Sequence, residues 1–255
     1  MKIVIYYYYI INAMSIRALI TGLSLSLILN NQAMSNQFQS VVPLRIPDNV
    51  GEVHGAHTWR SHPVLEVRGS IEYKPLLDVL ERVPDEYQDL TNAYRGEVVL
   101  FKGLLTENKE LRQLRGKNVP GIYPPVPYDS LNGLYDPKTK KAFVSNRFQS
   151  QPEAKGSTPL HEYGHLVDDA LGHIFFGEKK LLSNTIFFDE VYQKYKNQLP
   201  PGLYNRHEFF AEMFSRFYFT TESRDTLKVI CSEAFSYFEN LERSVVFGVR
   251  SVKKR

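Results

Sequence analysis

The stretch HEYGH contains the side chains of this chain that are best suited to metal chemistry, namely His161, Glu162 and His165. Four residues make slightly more than one helical turn, so on a helix both imidazoles project from one face and can bind the same Zn²⁺ ion. Glu162 lies beside that face, where its carboxylate can take a proton from a water that the metal activates. The spacing therefore predicts a hydrolytic zinc site on a helix.

The same segment also has the pattern of an ordinary packed helix. Leu160, Gly164, Val167 and Leu171 form an apolar stripe with helical spacing. This stripe is adjacent to the histidine face and does not replace it, so one helix can both pack and bind a metal. Gly164 lowers helix stability relative to alanine, which predicts that another chain segment approaches closely at this position. The zinc site is the favoured interpretation.

A catalytic zinc site needs three protein ligands and one open position. The segment YNRHEFFAEMFSRFYF (204–219) offers Glu208 and Glu212, one turn apart on a helix whose other faces carry phenylalanines. Two carboxylates in such apolar surroundings are costly unless they are paired or bound to a metal. Glu208 has a second interpretation, as the third residue of a capping box that begins at Asn205. His207 is predicted to point away from the face that carries the two glutamates.

The elements that must position these residues follow from apolar periodicity and from start and stop signals. The pattern predicts three long helices late in the chain, at 158–176, 206–219 and 223–242, the first with Thr158 as its N-cap. Before them it predicts shorter elements: a helix at 72–84 ended by Pro84, a strand at 96–103, a helix at 106–116 with Thr106 as its N-cap, and a hairpin at 133–146. This order predicts one mixed α+β domain.

Composition narrows the class of protein and its partners. The 255 residues suit one globular domain with a substantial core, at 43% hydrophobic and 23% charged residues. The net charge of +3 is small and owes much to the tail VKKR, which argues against nucleic acid as a partner. The single cysteine, Cys231, cannot form an intrachain disulfide and is predicted to be a buried thiol in a helix.

The N-terminal region has the order of a secretory signal. An arginine precedes an apolar run (18–29), and the small residue Ala33 follows it. We therefore expect a signal peptide over 1–33, with Met14 as an alternative start, and a mature domain over 34–255. A retained membrane anchor is the alternative, because the apolar segments of this region together approach membrane-spanning length.

Two motifs give the sequence a resemblance to a known family. LHEYGHLVDDALG (160–172) is followed about forty residues later by EFFAEMFSRFYF (208–219). Together they resemble the anthrax lethal-factor-type zinc metallopeptidases, to which small secreted bacterial Pro-Pro endopeptidases are related. The resemblance is specific over 158–240 and loose over 95–157. It implies an α+β, zincin-like fold in which a twisted mixed sheet packs beside the active-site helix and further helices follow.

The same resemblance assigns roles to particular residues. It implies that His161, His165 and Glu208 bind one Zn²⁺ ion per chain and that Glu162 is the general base. It also implies that Glu212 orients one of the ligand histidines, as partners of ligands do in many metal sites.

The resemblance further implies a tyrosine that donates a hydrogen bond to the oxyanion of the reaction intermediate. Tyr204 is the candidate for this role, and Tyr195 is the alternative. In addition, the edge strand of the implied sheet would align the substrate by β-addition. The segment KKAFVSN (140–146) is the candidate for that strand.

These observations predict a secreted, extracellular zinc endopeptidase that hydrolyses peptide bonds of a protein substrate, in the manner of a toxin or virulence factor. The alternative is a noncatalytic module of the same fold that binds a partner or serves toxin delivery, which predicts a degraded metal motif. The expected partner is a protein or peptide substrate. We expect no nucleic acid, and no stable membrane association once the signal is cleaved. A delivery partner cannot be identified from the sequence.

Overall fold

The computed structural model describes residues 73–120, 124–148, 156–177, 180–198 and 205–253. The chain separates into two units, Met1–Pro43 and Leu44–Arg255, and every described residue belongs to the second. The predicted signal peptide over 1–33 lies outside the described residues, and so does Tyr204.

Helices make up most of the described chain. Two precede the sheet, α1 (Lys74–Leu80) and α2 (Asp85–Ala93). The others follow it: α3 (Thr158–Phe176), α4 (Ile186–Tyr195), α5 (Arg206–Phe219), α6 (Thr221–Ile230) and α7 (Ser232–Lys253). Within the ranges that the structure describes, no helix is both long enough and apolar enough to cross a membrane.

The sheet has three described strands, β1 (Glu97–Phe101), β2 (Gly133–Asp136) and β3 (Lys141–Ser145), in the order β1-β3-β2. β3 runs parallel to β1 and antiparallel to β2, so the sheet is mixed. The prediction that 140–146 forms the edge strand is therefore wrong. Because β3 pairs on both sides, and its Ala142, Phe143 and Val144 are buried on both faces, β2 and β1 form the edges of the described sheet.

The predicted hairpin and the predicted strand at 96–103 are confirmed as β2–β3 and β1. The Asp136 carboxylate accepts hydrogen bonds from the Lys138 main-chain N–H, at 3.0 Å, and from the Thr139 hydroxyl, at 2.9 Å. Such a side-chain contact stabilises a turn locally, which is why the sequence pattern was sufficient to predict it.

The prediction of one helix at 72–84 is wrong in its extent. α1 ends at Leu80, and Pro84 is the N-cap of α2, which the sequence analysis missed. Proline ends one helix but also suits the start of another, because its φ angle is already close to the helical value.

The helix predicted at 106–116 is absent, and two short 3₁₀ turns, Leu105–Glu107 and Arg112–Leu114, take its place. Leu105 and Leu111 are both buried in a small cluster with Phe101 and Phe143. Thr106 is not a helix cap, because it is fully buried and its hydroxyl donates a hydrogen bond to Asp129. Packing against the sheet thus overrides the local helix propensity.

The helix predicted at 223–242 is two helices. α6 ends at Ile230, Cys231 has the non-helical angles φ −150° and ψ 66°, and α7 begins at Ser232. Cys231 is buried, as predicted, but it lies in the break rather than inside a helix. The sequence analysis also missed α4, whose Phe188 is fully buried among the aromatic rings of α5 and α7.

The helices predicted at 158–176 and 206–219 are confirmed as α3 and α5, which pack directly against each other. A Cβ atom added to Gly164 of α3 would lie 3.0 Å from the Ala211 Cα atom of α5. The expectation that another segment approaches Gly164 closely is therefore confirmed. The other side of α3 contacts the sheet, where Leu166 lies against Gly96 at the start of β1.

Candidate metal centre

The first turns of α3 carry the HEYGH motif. The N-cap of the helix is Ser157, and Thr158 is its first residue. The prediction that Thr158 is the N-cap is therefore wrong. His161 and His165 project from the same face, with ring centroids 4.9 Å apart and ring planes at 84°. The helical spacing thus brings both imidazoles to one side of α3.

Glu208, in the first turn of α5, reaches both imidazoles. Its Oε2 atom lies 3.1 Å from the His161 Nε2 atom and 3.6 Å from the His165 Nε2 atom. Asn205 does cap α5, because its side chain accepts a hydrogen bond from the Glu208 main-chain N–H at 2.9 Å. The main chain of Glu208 takes part in this cap while its carboxylate faces the histidines, so the structure shows the Asn205 cap but not the reciprocal capping box.

The three residues fit a zinc ion. Zn²⁺ binds histidine nitrogen and carboxylate oxygen at about 2.0–2.2 Å in tetrahedral sites, which puts two ligand atoms about 3.3 Å apart. The observed separations of 3.1 Å and 3.6 Å lie on either side of that value. One ligand atom from each of His161, His165 and Glu208 lies within 4.8 Å of the others. Two histidines and a carboxylate are also a ligand set that catalytic zinc uses.

Charge pairing holds this cluster together. Burial alone would lower the pKa of His161, but hydrogen bonds to Glu208 and Glu212 raise it to about 10. Burial would raise the pKa of Glu208, yet hydrogen bonds from His161 and His165 hold that pKa well below its ordinary value. The carboxylate is therefore charged and able to bind a cation.

Glu212 contacts the other side of His161. Its Oε2 atom lies 3.6 Å from the His161 Nδ1 atom, and its Oε1 atom accepts a hydrogen bond from the Arg216 Nε–H at 2.6 Å. Burial opposes ionisation of Glu212, but His161 and Arg216 together lower its pKa. The imidazole of His161 thus lies between two carboxylates, with its Nε2 atom facing Glu208 and its Nδ1 atom facing Glu212.

Glu162 is buried between α3 and β2. A Cβ atom added to Gly133 would lie 2.5 Å from the Glu162 Cγ atom, so only glycine lets the strand approach this side chain. The main chain of Tyr135 hydrogen-bonds to the carboxylate. Burial raises the pKa of Glu162, while His161 and His165 act in the opposite direction. A carboxylate with a raised pKa is suited to accepting a proton and passing it on.

Tyr135 is a residue of the site that the sequence analysis missed. Its ring stacks on the His165 ring, with centroids 6.2 Å apart and planes at 14°. Its hydroxyl donates a hydrogen bond to the Asp169 Oδ2 atom at 2.6 Å. Residues two apart on a strand share a face, so the contact between Gly133 and Glu162 and that between Tyr135 and His165 come from one face of β2. The segment GLYD contained this signal, but only the position of α3 reveals it.

The first turn of α5 is anchored by a second polar cluster. The Asp168 carboxylate accepts hydrogen bonds from the Ser183 main-chain N–H and hydroxyl, at 2.7 and 2.6 Å. The Ser183 hydroxyl also lies 2.7 Å from the His207 Nδ1 atom. His207 therefore points to this cluster, as expected of a residue off the Glu208 face. The hydroxyl lies between acid and imidazole, which is not the order of a serine-nucleophile triad.

A cleft of about 410 Å³ opens beside this centre. Its lining comes from the segment before β2, the start of α3 and the metal-binding cluster: Ser130, Leu131, Asn132, Gly133, Gly156, Ser157, Thr158, His161, Glu162 and Glu212. Tyr195, the alternative oxyanion donor, instead donates its hydroxyl hydrogen bond to Glu233 of α7. Burial, together with this carboxylate, raises the pKa of Tyr195.

Comparisons with known proteins define the class. The family described as "Anthrax toxin lethal factor, N- and C-terminal domain" matches residues 66–241, more than half of the chain. The protein therefore belongs to this family, and the family predicted from the two motifs is confirmed.

Two relatives are informative. A Pro-Pro endopeptidase of Clostridioides difficile (strain 630) is 24% identical over 182 residues, covering 68% of this chain and 76% of the relative. The solved PRO-PRO endopeptidase (PPEP-2) from Paenibacillus alvei is similar in structure, with a TM-score of 0.55 at 20% identity, over 67% of this chain and 90% of that one. The structural likeness shows a shared fold, in agreement with the predicted α+β class.

Proposed function

We propose that this protein is a secreted zinc-dependent endopeptidase. The observation that carries the proposal is the meeting of Glu208 with His161 and His165 beside the buried carboxylate of Glu162. Three zinc-type ligands next to a general base match the needs of metal-assisted hydrolysis. The two relatives named as Pro-Pro endopeptidases support peptide bonds as the substrate.

Each residue of the centre has a distinct part in this proposal. His161, His165 and Glu208 would hold the zinc ion, which when bound polarises the substrate carbonyl and lowers the pKa of water. Glu162 accepts a proton from the attacking water and passes it to the leaving amine. Its burial and its hydrogen bond with the Tyr135 main chain keep the carboxylate oriented for both transfers.

Neighbouring side chains orient the ligands. Glu212 faces the Nδ1 atom of His161 and is itself held by Arg216, an arrangement that fixes which imidazole nitrogen is free to bind metal. Tyr135 stacks on His165 and restricts the rotation of that ring. On the family resemblance, Tyr204 donates a hydrogen bond to the oxyanion.

The substrate is proposed to bind as an extended peptide along β2. This strand pairs with β3 on one side and is the edge of the described sheet on the other, and the segment that leads into it lines the cleft. Peptides add to such edges through main-chain hydrogen bonds. Bonds next to proline are the first substrates to test, because both relatives are named for them.

Export is proposed from the order of residues in the N-terminal region, with a signal peptide at 1–33 and the peptidase domain at 34–255. A noncatalytic module of the same fold would tolerate loss of the metal ligands. Here His161, His165 and Glu208 are all present and adjacent, which favours the enzyme.

Metal analysis combined with peptide cleavage tests the proposal. Protein purified from the medium of expressing bacteria is expected to contain about one zinc per chain and to cut a peptide library that includes Pro-Pro sequences. Removing the metal with a chelator should abolish cleavage, and adding zinc should restore it. Protein that binds no zinc, or that cleaves equally well without it, would contradict the proposal.

A further inference from the structure

The hydrogen bonds around Ser183 run in one direction. The Ser183 hydroxyl donates its single proton to the Asp168 Oδ2 atom at 2.6 Å, so towards the His207 Nδ1 atom, at 2.7 Å, the same oxygen must act as an acceptor. His207 therefore carries a proton on Nδ1 and donates it to Ser183. We call this chain of hydrogen bonds, from His207 through Ser183 to Asp168, the Ser183 bridge.

The acceptor end of the Ser183 bridge is fixed on α3. Asp168 is 1% exposed and Ser183 is 0% exposed, and the Ser183 main-chain N–H also donates to the Asp168 Oδ1 atom at 2.7 Å. A buried carboxylate is costly unless it is hydrogen-bonded, and here Ser183 satisfies both of its oxygens. The chain just before Ser183 lies directly on α3, because a Cβ atom added to Gly172 would lie 2.5 Å from the Leu181 Cα atom.

The donor end of the bridge is the residue next to Glu208. His207 and Glu208 follow each other in the first turn of α5, so their side chains point about 100° apart around the helix. His207 reaches Ser183, while Glu208 reaches the imidazoles of His161 and His165. The first turn of α5 is thus held on one side by the bridge and presents the proposed zinc ligand on the other.

Helix packing by itself leaves the position of Glu208 along α3 less well defined. The contact between Gly164 and Ala211 limits how closely α3 and α5 approach, but it joins two small residues and has no preferred direction. Hydrogen bonds, in contrast, weaken steeply when their distance or angle changes. A shift of the start of α5 along α3 would therefore break the Ser183 bridge while the two helices remained in contact.

We propose that His207 is a positioning residue of the metal centre, which acts through the Ser183 bridge to hold the Glu208 carboxylate where it can bind zinc. This role rests on the proposed zinc peptidase and adds to it a residue that touches neither metal nor substrate. Functional groups of a site must be held within about 0.5 Å of their working geometry. Loss of the bridge should therefore weaken zinc binding although all three ligands are still present.

Two substitutions of His207 test the role of its N–H group. Leucine has a similar size but no donor, whereas the side-chain N–H of asparagine lies close to the position of the histidine Nδ1–H. Both changes are expected to leave the protein folded, because the His207 side chain is 41% exposed. His207→Leu should weaken zinc affinity by about tenfold to a hundredfold, and His207→Asn should restore most of it. Leucine is the better helix former, so helix propensity alone would favour the opposite order.

A cobalt spectrum and a control variant separate positioning from a general loss of stability. With Co²⁺ bound in place of zinc, His207→Leu should change the visible absorption bands, which report the ligand geometry, and His207→Asn should keep them. Thr220→Ala removes the cap of α6 at the far end of α5, where the Thr220 hydroxyl accepts a hydrogen bond from the Ser223 N–H at 3.0 Å. This control should lower the melting temperature and leave zinc affinity unchanged. A merely structural His207 would behave in the same way.

Replacing Ser183 interrupts the bridge in its middle. Ser183→Ala should weaken zinc affinity by about the same factor as His207→Leu, and the double variant should show no additional loss, because both changes remove one shared interaction. The single variant Ser183→Ala carries the test if His207→Leu does not fold.

The outcomes distinguish this role from the proposed function. If the wild-type protein binds no zinc, the proposed function fails and the role of His207 fails with it. If the wild type binds zinc and cleaves peptides, but His207→Leu has the wild-type zinc affinity and cobalt spectrum, only the role of His207 is overturned. A zinc affinity of His207→Asn as low as that of His207→Leu would overturn it as well.

Discussion

Glu208 and His161 meet through their Oε2 and Nε2 atoms, which lie 3.1 Å apart although the two residues are separated by 47 positions in the chain. The contact requires α5 to lie very close to α3. Gly164 permits this approach, because a Cβ atom there would be 3.0 Å from the Ala211 Cα atom. A glycine that binds no metal thus controls the distance between the proposed metal ligands.

Replacing the general base should separate metal binding from catalysis. Glu162→Gln keeps the shape of the side chain but cannot accept the proton, so cleavage should fall by about two to four orders of magnitude. Zinc should remain near one per chain, because Glu162 is not a proposed ligand. Metal analysis and peptide cleavage measure both effects, with the exposed Glu190→Gln as control. Retained activity in Glu162→Gln would falsify this mechanism.

Substitutions along α5 should distinguish ligand, orienting group and helix cap. Glu208→Ala removes a ligand and should sharply weaken zinc affinity, whereas Glu212→Ala should weaken affinity or activity by roughly ten to a hundredfold. Asn205→Ala should cost about 1 kcal/mol of stability and leave zinc bound, because it removes only the cap. Zinc titrations and thermal melts of the three variants distinguish these roles. If Glu208→Ala retained zinc fully and Glu212→Ala lost it, the third ligand would be Glu212, one turn further along α5, and not Glu208.

Filling the space at Gly164 should disrupt the centre from a distance. Gly164→Ala improves helix propensity by about 1 kcal/mol. The added Cβ atom nevertheless meets the Ala211 main chain, which cannot move without shifting α5. Net destabilisation of about 1–3 kcal/mol is expected from the overpacking, together with weaker zinc binding. Denaturant unfolding and zinc titration check both effects. A variant more stable than wild type, with unchanged zinc affinity, would show that α3 and α5 are not closely packed.

Zinc binding should release a proton. Hydrogen bonds to Glu208 and Glu212, acting against burial, hold the pKa of His161 at about 10, so the imidazole of the metal-free site is protonated at neutral pH. Zinc binds only the neutral imidazole, so its apparent affinity should rise by about tenfold per pH unit between about pH 7 and pH 9. Calorimetry in buffers with different heats of ionisation measures the proton. Zinc binding without proton release would contradict this prediction.

Export should remove the N-terminal segment. If the apolar run over 18–29 belongs to a signal peptide, the protein in the culture medium should begin near Met34. Sequencing the N-terminus of the secreted protein is the measurement. An intact N-terminus recovered from the membrane fraction would favour a retained anchor.

Much of the fold could be predicted from local patterns in the sequence. The hairpin β2–β3, strand β1 and helices α3 and α5 were predictable because turn residues, alternation and caps act over a few neighbouring positions. The segments that failed are those in which distant packing overrides such signals. At 106–116 two buried leucines hold the chain against the sheet in 3₁₀ turns, and at Cys231 a continuous helical pattern is interrupted by a buried break.

The sequence by itself determined that His161, Glu162 and His165 share one helix, and it offered Asn205 as a candidate cap of the helix that carries Glu208, since both relations lie within about one helical turn. Only the tertiary structure decided that the Glu208 carboxylate faces both imidazoles and that β2, not β3, is an edge strand beside Glu162. Helix packing and strand pairing join groups that are far apart in the chain, and no local periodicity specifies which of them will meet.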